Sequence, residues 1–465
     1  MNTILMYILS LISVLALGYM LIKKHDIKIV LFTIGIILTT ISGFLVGPLL
    51  KEGGISPWID SFINVMNEFK TYLSGAGLTI LILGGYTAYM NVIGANDMTV
   101  RALLQPIKRF KNKYILLILV FLIGNLLSIV VPSASNLAII LLATLYPVLR
   151  ASGVSKLSAA AVIATTATIM PTPLGSDNVA IAQQLNMPVF DYVFKYHAVV
   201  SLPTILAIGF VHAFWQYYCD KKSAGVKSAE TKVEHKKNKS DDFKGLQAVI
   251  YTLLPLLPIL ILIIIMFVNF TLPNPIEVSV PVVALMSFSI AFVVDLLFTM
   301  LQERETSPAV GRVQEFFDGM GRAMDVVILT VAAAVFVDGL TSIGLIKALE
   351  QTMQTMNNAG LILPVILVLM TALIVILSGS GTSLFFAMVP LMAPLAAAAG
   401  VSALAIALPM GMAGNLLRAV SPVSAVIMIT AGTTKESPMD LVRRTSVPMI
   451  FGTIMALALS LVLFS

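Results

Sequence analysis

The sequence predicts an all-α protein that crosses a bilayer many times, and three observations predict it. The 465-residue chain is 58% hydrophobic and only 11% charged, with a mean hydropathy of +0.97, whereas a soluble domain of this size carries far more charge. Many of its apolar runs approach or exceed the roughly 18–20 residues that cross a hydrocarbon core. These runs are continuous and do not alternate with period two, which argues against a β-barrel. Cys219 is the single cysteine, so neither an internal disulfide nor a thiolate cluster can form. His25, His197, His212 and His235 are scattered in no metal-ligand spacing, and His197 and His212 are expected at the interfaces as structural residues. The net charge of +6 does not point to nucleic acid, because the basic residues fall in loops between spans.

The elements follow from the loops, since cytoplasmic loops are the basic ones. Residues 3–22 read as a retained first span, with no basic region before it. "KKHDIK" is basic and inside, so the N-terminus lies outside. A second span at about 29–49 leads to the mixed-charge outer loop "KEGGISPWIDSFINVMNEFKTY". A third at about 75–95 leads to "RALLQPIKRFKNK", with Arg101, Lys108, Arg109, Lys111 and Lys113 inside. Residues of about 114–150 cannot cross once without placing Arg150 and Lys156 outside, so they read as a re-entrant hairpin turning at "PSASN". A broken span at about 158–187 carries "MPTPLGSDN", and a return span at about 198–218 ends in Trp215, Tyr217 and Tyr218. Residues 219–245 form a lysine-rich cytoplasmic linker. The second half has spans near 247–269, 278–301 and 325–345, with Asp295, Asp325 and Asp338 near span ends. A second hairpin at about 361–397 turns at "SGSGTS", and a broken span at about 402–432 holds "RAVSPVS". "TTKESPMDLVRRTS" is a cytoplasmic loop, and a last span at 447–464 ends outside.

The halves 1–218 and 246–465 repeat each other. "PSASN" from Pro132 and "GSGTS" from Gly379 lie 247 positions apart, as do "GVSKLSAAAVIA" from Gly153 and "GVSALAIALPMG" from Gly400. Ser176 then aligns with Ser421 across a two-residue gap. Five spans per half is an odd number, so the repeat is inverted, the pattern of secondary transporters with interrupted helices near the midplane. Lipid cannot satisfy free backbone groups, so breaks at depth must line a protein-covered or wet cavity. Helix beginnings there attract anions, and ending carbonyls can hold a cation. Arg418, just before "SPVS", is a guanidinium at depth whose fork suits a carboxylate. Asp177, with Ser176 and Asn178 beside it, could bind a cation or proton, neutralise Arg418, or cap the following half-helix.

The motifs "IGANDM", "PSASN", "GSDNVAIAQ", "SGSGTS", "GNLLRAVSPVSAVI" and "VRRTSVP" resemble those of the anaerobic C4-dicarboxylate carriers of the DcuC type, members of an ion transporter group with paired re-entrant hairpins. The resemblance runs along nearly the whole chain. It implies a bacterial cytoplasmic-membrane carrier that exchanges or exports succinate, fumarate or malate during anaerobic growth. It also implies an elevator motion, in a homodimer, with no cofactor. Ser133, Ser135, Asn136, Ser380, Gly381, Thr382 and Ser383 at the tips, with Arg418 and Ser421, are the implied substrate contacts. Some relatives bind sodium through a Ser-Asn-Thr triplet that neither tip here has, so the coupling ion stays open between Na+ and H+. A carrier of the same fold for a tricarboxylate or an amino acid is the alternative. An enzyme is not expected, because no HExxH, GxSxG or clustered histidines occur.

Overall fold

The computed structural model describes residues 25–47, 54–104, 112–131, 133–222, 245–269, 278–345 and 359–464, with isolated positions elsewhere, and without the side chains of 266, 269, 359 and 382–384. Most of the expected first span and of the lysine-rich linker therefore lies outside the described residues. The described residues form helices and no strands. Nine of these helices are long and apolar enough to cross a bilayer, among them Ile27–Leu45, Val280–Glu303 and Pro438–Phe464. Their outer faces are apolar: Leu285, Ile290, Val293 and Leu297 are exposed along one side of Val280–Glu303, and Phe210 and Phe214 along Val189–Lys222. So much exposed apolar surface belongs in lipid, and the chain is a multi-pass membrane protein.

The two halves run through the same order of elements. In the first, Ile27–Leu45 and the long Pro57–Val92 precede a pair of shorter helices, Lys113–Leu127 and Ala134–Thr144. Then come Lys156–Ala164, a break, Ser176–Gln184, and Val189–Lys222. In the second, Val280–Glu303 and the long Ser307–Ser342 precede the pair Ala359–Ser378 and Gly381–Ala399. Ala403–Leu417, a break, Ala425–Thr434 and Pro438–Phe464 follow. Local geometry repeats too. Gly94 and Gly344 end the long helices at φ 77° and 91°, and Gly153 and Gly400 precede the broken spans at φ 81° and 66°. Two residues later Ser155 and Ser402 cap the next helix, accepting from the backbone N–H of Ser158 (3.1 Å) and Leu404 (3.2 Å).

Four expectations are corrected. The segment read as an outer loop is helical from Pro57. Pro57 sits in the first turn, where its missing N–H costs nothing, and buried Asp60 accepts from the N–H of Ile55 (2.8 Å) and Ser56 (3.3 Å). This helix meets the next, Leu78–Val92, across a kink at Gly75, whose φ of −104° and ψ of −116° are not helical. The last helix begins at Pro438 rather than near 447, which buries Arg444. Asp295 is not interfacial: it is buried and paired with Arg312 at 2.9 Å, with Tyr251 donating to it at 2.9 Å and Tyr89 at 3.2 Å. His197 and His212 are both buried, and His212 is bonded to Thr165 Oγ1 at 3.0 Å. For Asp295, Arg444 and His212 the partner lies on another helix, which hydropathy along the chain cannot register.

Packing brings the breaks together by a crossed arrangement. Ala134–Thr144 lies against Ala425–Thr434, and Gly381–Ala399 lies against Ser176–Gln184. The second helix of each pair therefore contacts the second segment of the other half's broken span.

Candidate functional site

Between the two broken spans lies a cavity of about 120 Å³. Its wall draws Ala167, Thr168, Thr172, Ser176 and Asp177 from the first break, and Gly411, Gly414, Asn415 and Arg418 from the second. Gly381, Phe385 and Phe386 come from the second helix pair, and Ser128 from the end of the first pair's leading helix.

The first break is built by side chains replacing the interrupted backbone ladder. Asn125, fully buried, accepts on Oδ1 from the N–H of Thr168 (3.1 Å) and from its hydroxyl (2.7 Å). Asn178 Nδ2 donates to the carbonyl of Thr172 at 2.8 Å, which closes the turn before Ser176–Gln184. Such bonds are needed at depth, where each unmet backbone group costs several kcal/mol. Gly175 at the N-cap of Ser176–Gln184 supplies no side-chain cap, so the start of that helix faces the cavity with its partial positive charge.

The second break supplies the charge. Arg418 ends Ala403–Leu417 in a single 3-10 turn and donates to the carbonyl of Ala167 across the cavity. Ala167 takes the left-handed conformation at φ 56°, which costs an alanine about 1 kcal/mol. Asn415 Nδ2 donates to Asp177 Oδ2 at 2.8 Å, so the two broken spans are joined by a neutral amide on a carboxylate. At Gly381 the backbone of the second pair presses on Gly414, where a Cβ would strike the Gly414 carbonyl. Only glycine allows that approach.

The structure thus brings Ser176, Asp177, Gly381 and Arg418 to one cavity. Ser380 adjoins it at the start of its helix, and the side chains of Thr382 and Ser383 lie outside the described residues. Ser421 is fully buried and donates to the carbonyl of Ile376 at 2.7 Å, holding the second pair to the second break, and Asn178 closes the first break. Ser133, Ser135 and Asn136 do not reach the cavity wall: Ser133 caps its helix, accepting from the Asn136 N–H at 3.4 Å, and Ser133 and Asn136 are exposed. Asn415, Thr168 and Asn125 were missed. A signal existed, since "GNLL" occurs at 124–127 and again at 414–417, an amide in an apolar run each time. Among the described residues no three His, Cys, Asp or Glu side chains gather as a metal site.

Residues 5–465 match the family model described as the C4-dicarboxylate anaerobic carrier, DcuC. The chain is 31% identical over 462 residues to the anaerobic C4-dicarboxylate transporter DcuC of Escherichia coli K12, covering 98% of this chain and 96% of that one. It is 32% identical to the probable anaerobic C4-dicarboxylate transporter DcuC of Vibrio cholerae, covering 98% and 97%. Among solved structures it is similar in fold to the YdaH transporter of Alcanivorax borkumensis, with a TM-score of 0.63 at 14% identity over 94% of this chain and 97% of that one. MtrF of Neisseria gonorrhoeae, described among antimetabolite efflux pumps, gives a TM-score of 0.60 at 16% identity over 94% and 95%.

Proposed function

The chain belongs to the DcuC family of C4-dicarboxylate anaerobic carriers and is a transporter rather than an enzyme, and from that premise we propose that it carries succinate, fumarate or malate across the cytoplasmic membrane through the cavity between its broken spans. The observation that carries this reading is one guanidinium, Arg418, facing a cavity whose other polar lining is the hydroxyls of Ser128, Thr168, Thr172 and Ser176, the Asn415 amide, the Asp177 carboxylate and a helix start. Arg418 exchanges its bond to the Ala167 carbonyl for a bidentate bond to one carboxylate. Thr168, Thr172, Ser176 and the first turn of Ser176–Gln184 receive the other. The cavity has space for roughly eight to ten water-sized groups, which suits a four-carbon dicarboxylate. A tricarboxylate would need more cationic partners than Arg418 alone.

Charge decides how such a cargo moves. Arg418 and Asp177 cancel, so a bound dianion leaves an uncompensated charge in a low-dielectric site, a costly state. Exchange of one dicarboxylate for another avoids net charge movement, and net transport calls for a coupled cation, with Asp177 as its anchor. The repeated order of elements, the matched glycines and the crossed packing support an inverted repeat whose helix pairs are re-entrant hairpins. In that reading the hairpins and broken spans slide as a unit against the long helices, in a homodimer, with both termini on the outer face. Ser133, Ser135 and Asn136 contact substrate only in a state other than this one, and Ser380, Thr382 and Ser383 flank Gly381 at the tip that meets the cavity.

The test is labelled succinate uptake into proteoliposomes, with and without internal succinate, at matched pH and sodium. Dependence on internal dicarboxylate establishes exchange, and uptake into empty vesicles along a cation gradient establishes symport. Arg418→Ala is expected to lower uptake at least about tenfold, the loss of one charge-assisted bond pair, in protein that still inserts. Normal uptake by that variant removes Arg418 from the site.

A further inference from the structure

Behind the cavity, Tyr192, His197 and Ser201 carry three buried polar atoms with no hydrogen-bond partner among the described residues: the Tyr192 hydroxyl, His197 Nδ1 and the Ser201 hydroxyl. Their residues are 0%, 6% and 0% exposed. Each orphaned group costs about 1–3 kcal/mol, so three together are not a packing accident. They also share a face. Tyr192–His197 is a π turn, in which a residue sits one turn from the residue five positions on. In an α-helix those two side chains would point about 140° apart. The two rings instead lie 6.0 Å apart, and Ser201 follows His197 by four residues in the α-helix beyond.

The charged groups around this face are few. Ser176–Gln184 packs on the π turn, and its Asp177 lines the cavity together with Arg418. Lys195 on the same turn, exposed, pairs at 2.9 Å with the half-buried Asp191 just before it. Asp440, Arg443 and Arg444 of the last helix lie far along Val189–Lys222, beside Trp215, Gln216 and Asp220. On Lys113–Leu127, Lys113 stands next to Tyr114, which meets Tyr217 at that same far end.

We propose that the face formed by Tyr192, His197 and Ser201 is a proton site coupled to the substrate cavity through Asp177, and that His197 carries one proton with the dicarboxylate. The proposal rests on the dicarboxylate reading above. A hydronium ion on one side gives up a proton, one O–H bond breaking as one N–H bond forms on the imidazole lone pair. The imidazolium then breaks that N–H bond and returns the proton to water on the other side, where a new O–H bond forms. Its charge offsets part of the excess that a dianion brings beside Asp177. The hydroxyls of Tyr192 and Ser201 hold the water through which the proton enters. A hard cation instead takes a shell of oxygens, and this face offers two hydroxyls and a nitrogen.

The full chain in proteoliposomes with a trapped pH-sensitive dye tests the proposal. Labelled succinate counterflow reads the substrate site, and luminal acidification per succinate taken up reads the proton. Wild-type protein is expected to acidify the lumen as succinate enters. In His197→Gln the protons carried per succinate should fall about tenfold or more. In Tyr192→Phe, which removes one oxygen and keeps the ring, the pH of half-maximal uptake should move by about one unit, a tenfold change in proton affinity. Net succinate uptake into succinate-free vesicles without acidification overturns the proton site and leaves the dicarboxylate reading intact. Absence of counterflow overturns the reading on which both rest. Unchanged proton stoichiometry in His197→Gln overturns the role of His197. Should that variant fail to yield monodisperse protein, an unchanged pH midpoint in Tyr192→Phe overturns the proposal by itself.

Discussion

Arg444 offers the sharpest test of how the two halves are joined. It lies near the start of the last helix and is 5% exposed. Its guanidinium donates to Asp220 at 2.7 Å, and to Gln216 Oε1 and the Ser158 hydroxyl at 3.3 Å each. Gln216 in turn donates to the Arg444 carbonyl at 2.9 Å. One side chain therefore ties Pro438–Phe464 to two helices of the first half. Arg444→Met keeps the apolar stem and removes the charge, which leaves the Asp220 carboxylate in the interior. Breaking a buried pair from one side costs about 3–5 kcal/mol. The lower end is expected, because the hydroxyls of Ser155 (2.8 Å) and Ser158 (3.0 Å) still donate to Asp220. Adding Asp220→Leu should recover part of that loss, since removing both charges is often neutral. Reversible denaturation of the purified protein in detergent micelles, run as a double-mutant cycle, measures both steps. The reasoning fails if Arg444→Met changes stability by less than about 0.5 kcal/mol, the range of an unconnected surface change, or if the double variant is no better than the single.

Two further outcomes follow from the cavity. Gly381→Val places a branched side chain against the Gly414 carbonyl, so uptake should fall at least about tenfold through strain of a few kcal/mol, read as maximal rate in vesicles with equal protein content; wild-type rates would mean that this contact opens without consequence. Asn415→Leu removes the amide from Asp177 and should raise the apparent KM for succinate about ten- to a hundredfold, the loss of one hydrogen bond to a charged group; an unchanged KM would place the Asp177–Asn415 bond outside the substrate-bound state.

The parts of the fold that could be read in advance are those set locally. Breaks announce themselves because Ser, Gly, Pro and Asn within an apolar run are poor helix formers in an environment that punishes free backbone groups. Gly153 and Gly400 are visible because a positive φ favours glycine, and the chain needs that turn at the same place in each half. The helix Pro57–Tyr72 was hidden by its composition. Its Asp60, Glu68 and Lys70 resemble a loop when read along the chain, yet Asp60 is turned back to hold the helix start. The buried pairs Arg312–Asp295 and Arg444–Asp220 were hidden for a related reason. Charges near span ends look interfacial until a neighbouring helix covers them, and no local pattern records that neighbour.

The site divides along the same line. Arg418 and Asp177 were identifiable because an ionised residue inside a membrane run is costly, and therefore informative wherever its side chain points. Neutral residues carry no such penalty. The hydroxyls and amides of Ser133, Asn136, Ser421, Asn178 and Asn415 all fit the description of a substrate contact by type and spacing. Two of them face outward, two are consumed in closing the breaks, and one binds Asp177. What separates these fates is crossed packing, in which the second helix of each pair rests on the other half's broken span. That arrangement assigns one tip's glycine to the cavity and leaves the other tip outside it. A repeat in sequence therefore predicts two equivalent half-sites, whereas a single guanidinium on one repeat already makes the site unequal. In the proposed binding mode one carboxylate meets Arg418 and the other meets hydroxyls and a helix start, which is different chemistry, so a cargo whose two ends differ, such as malate, should bind in one preferred direction.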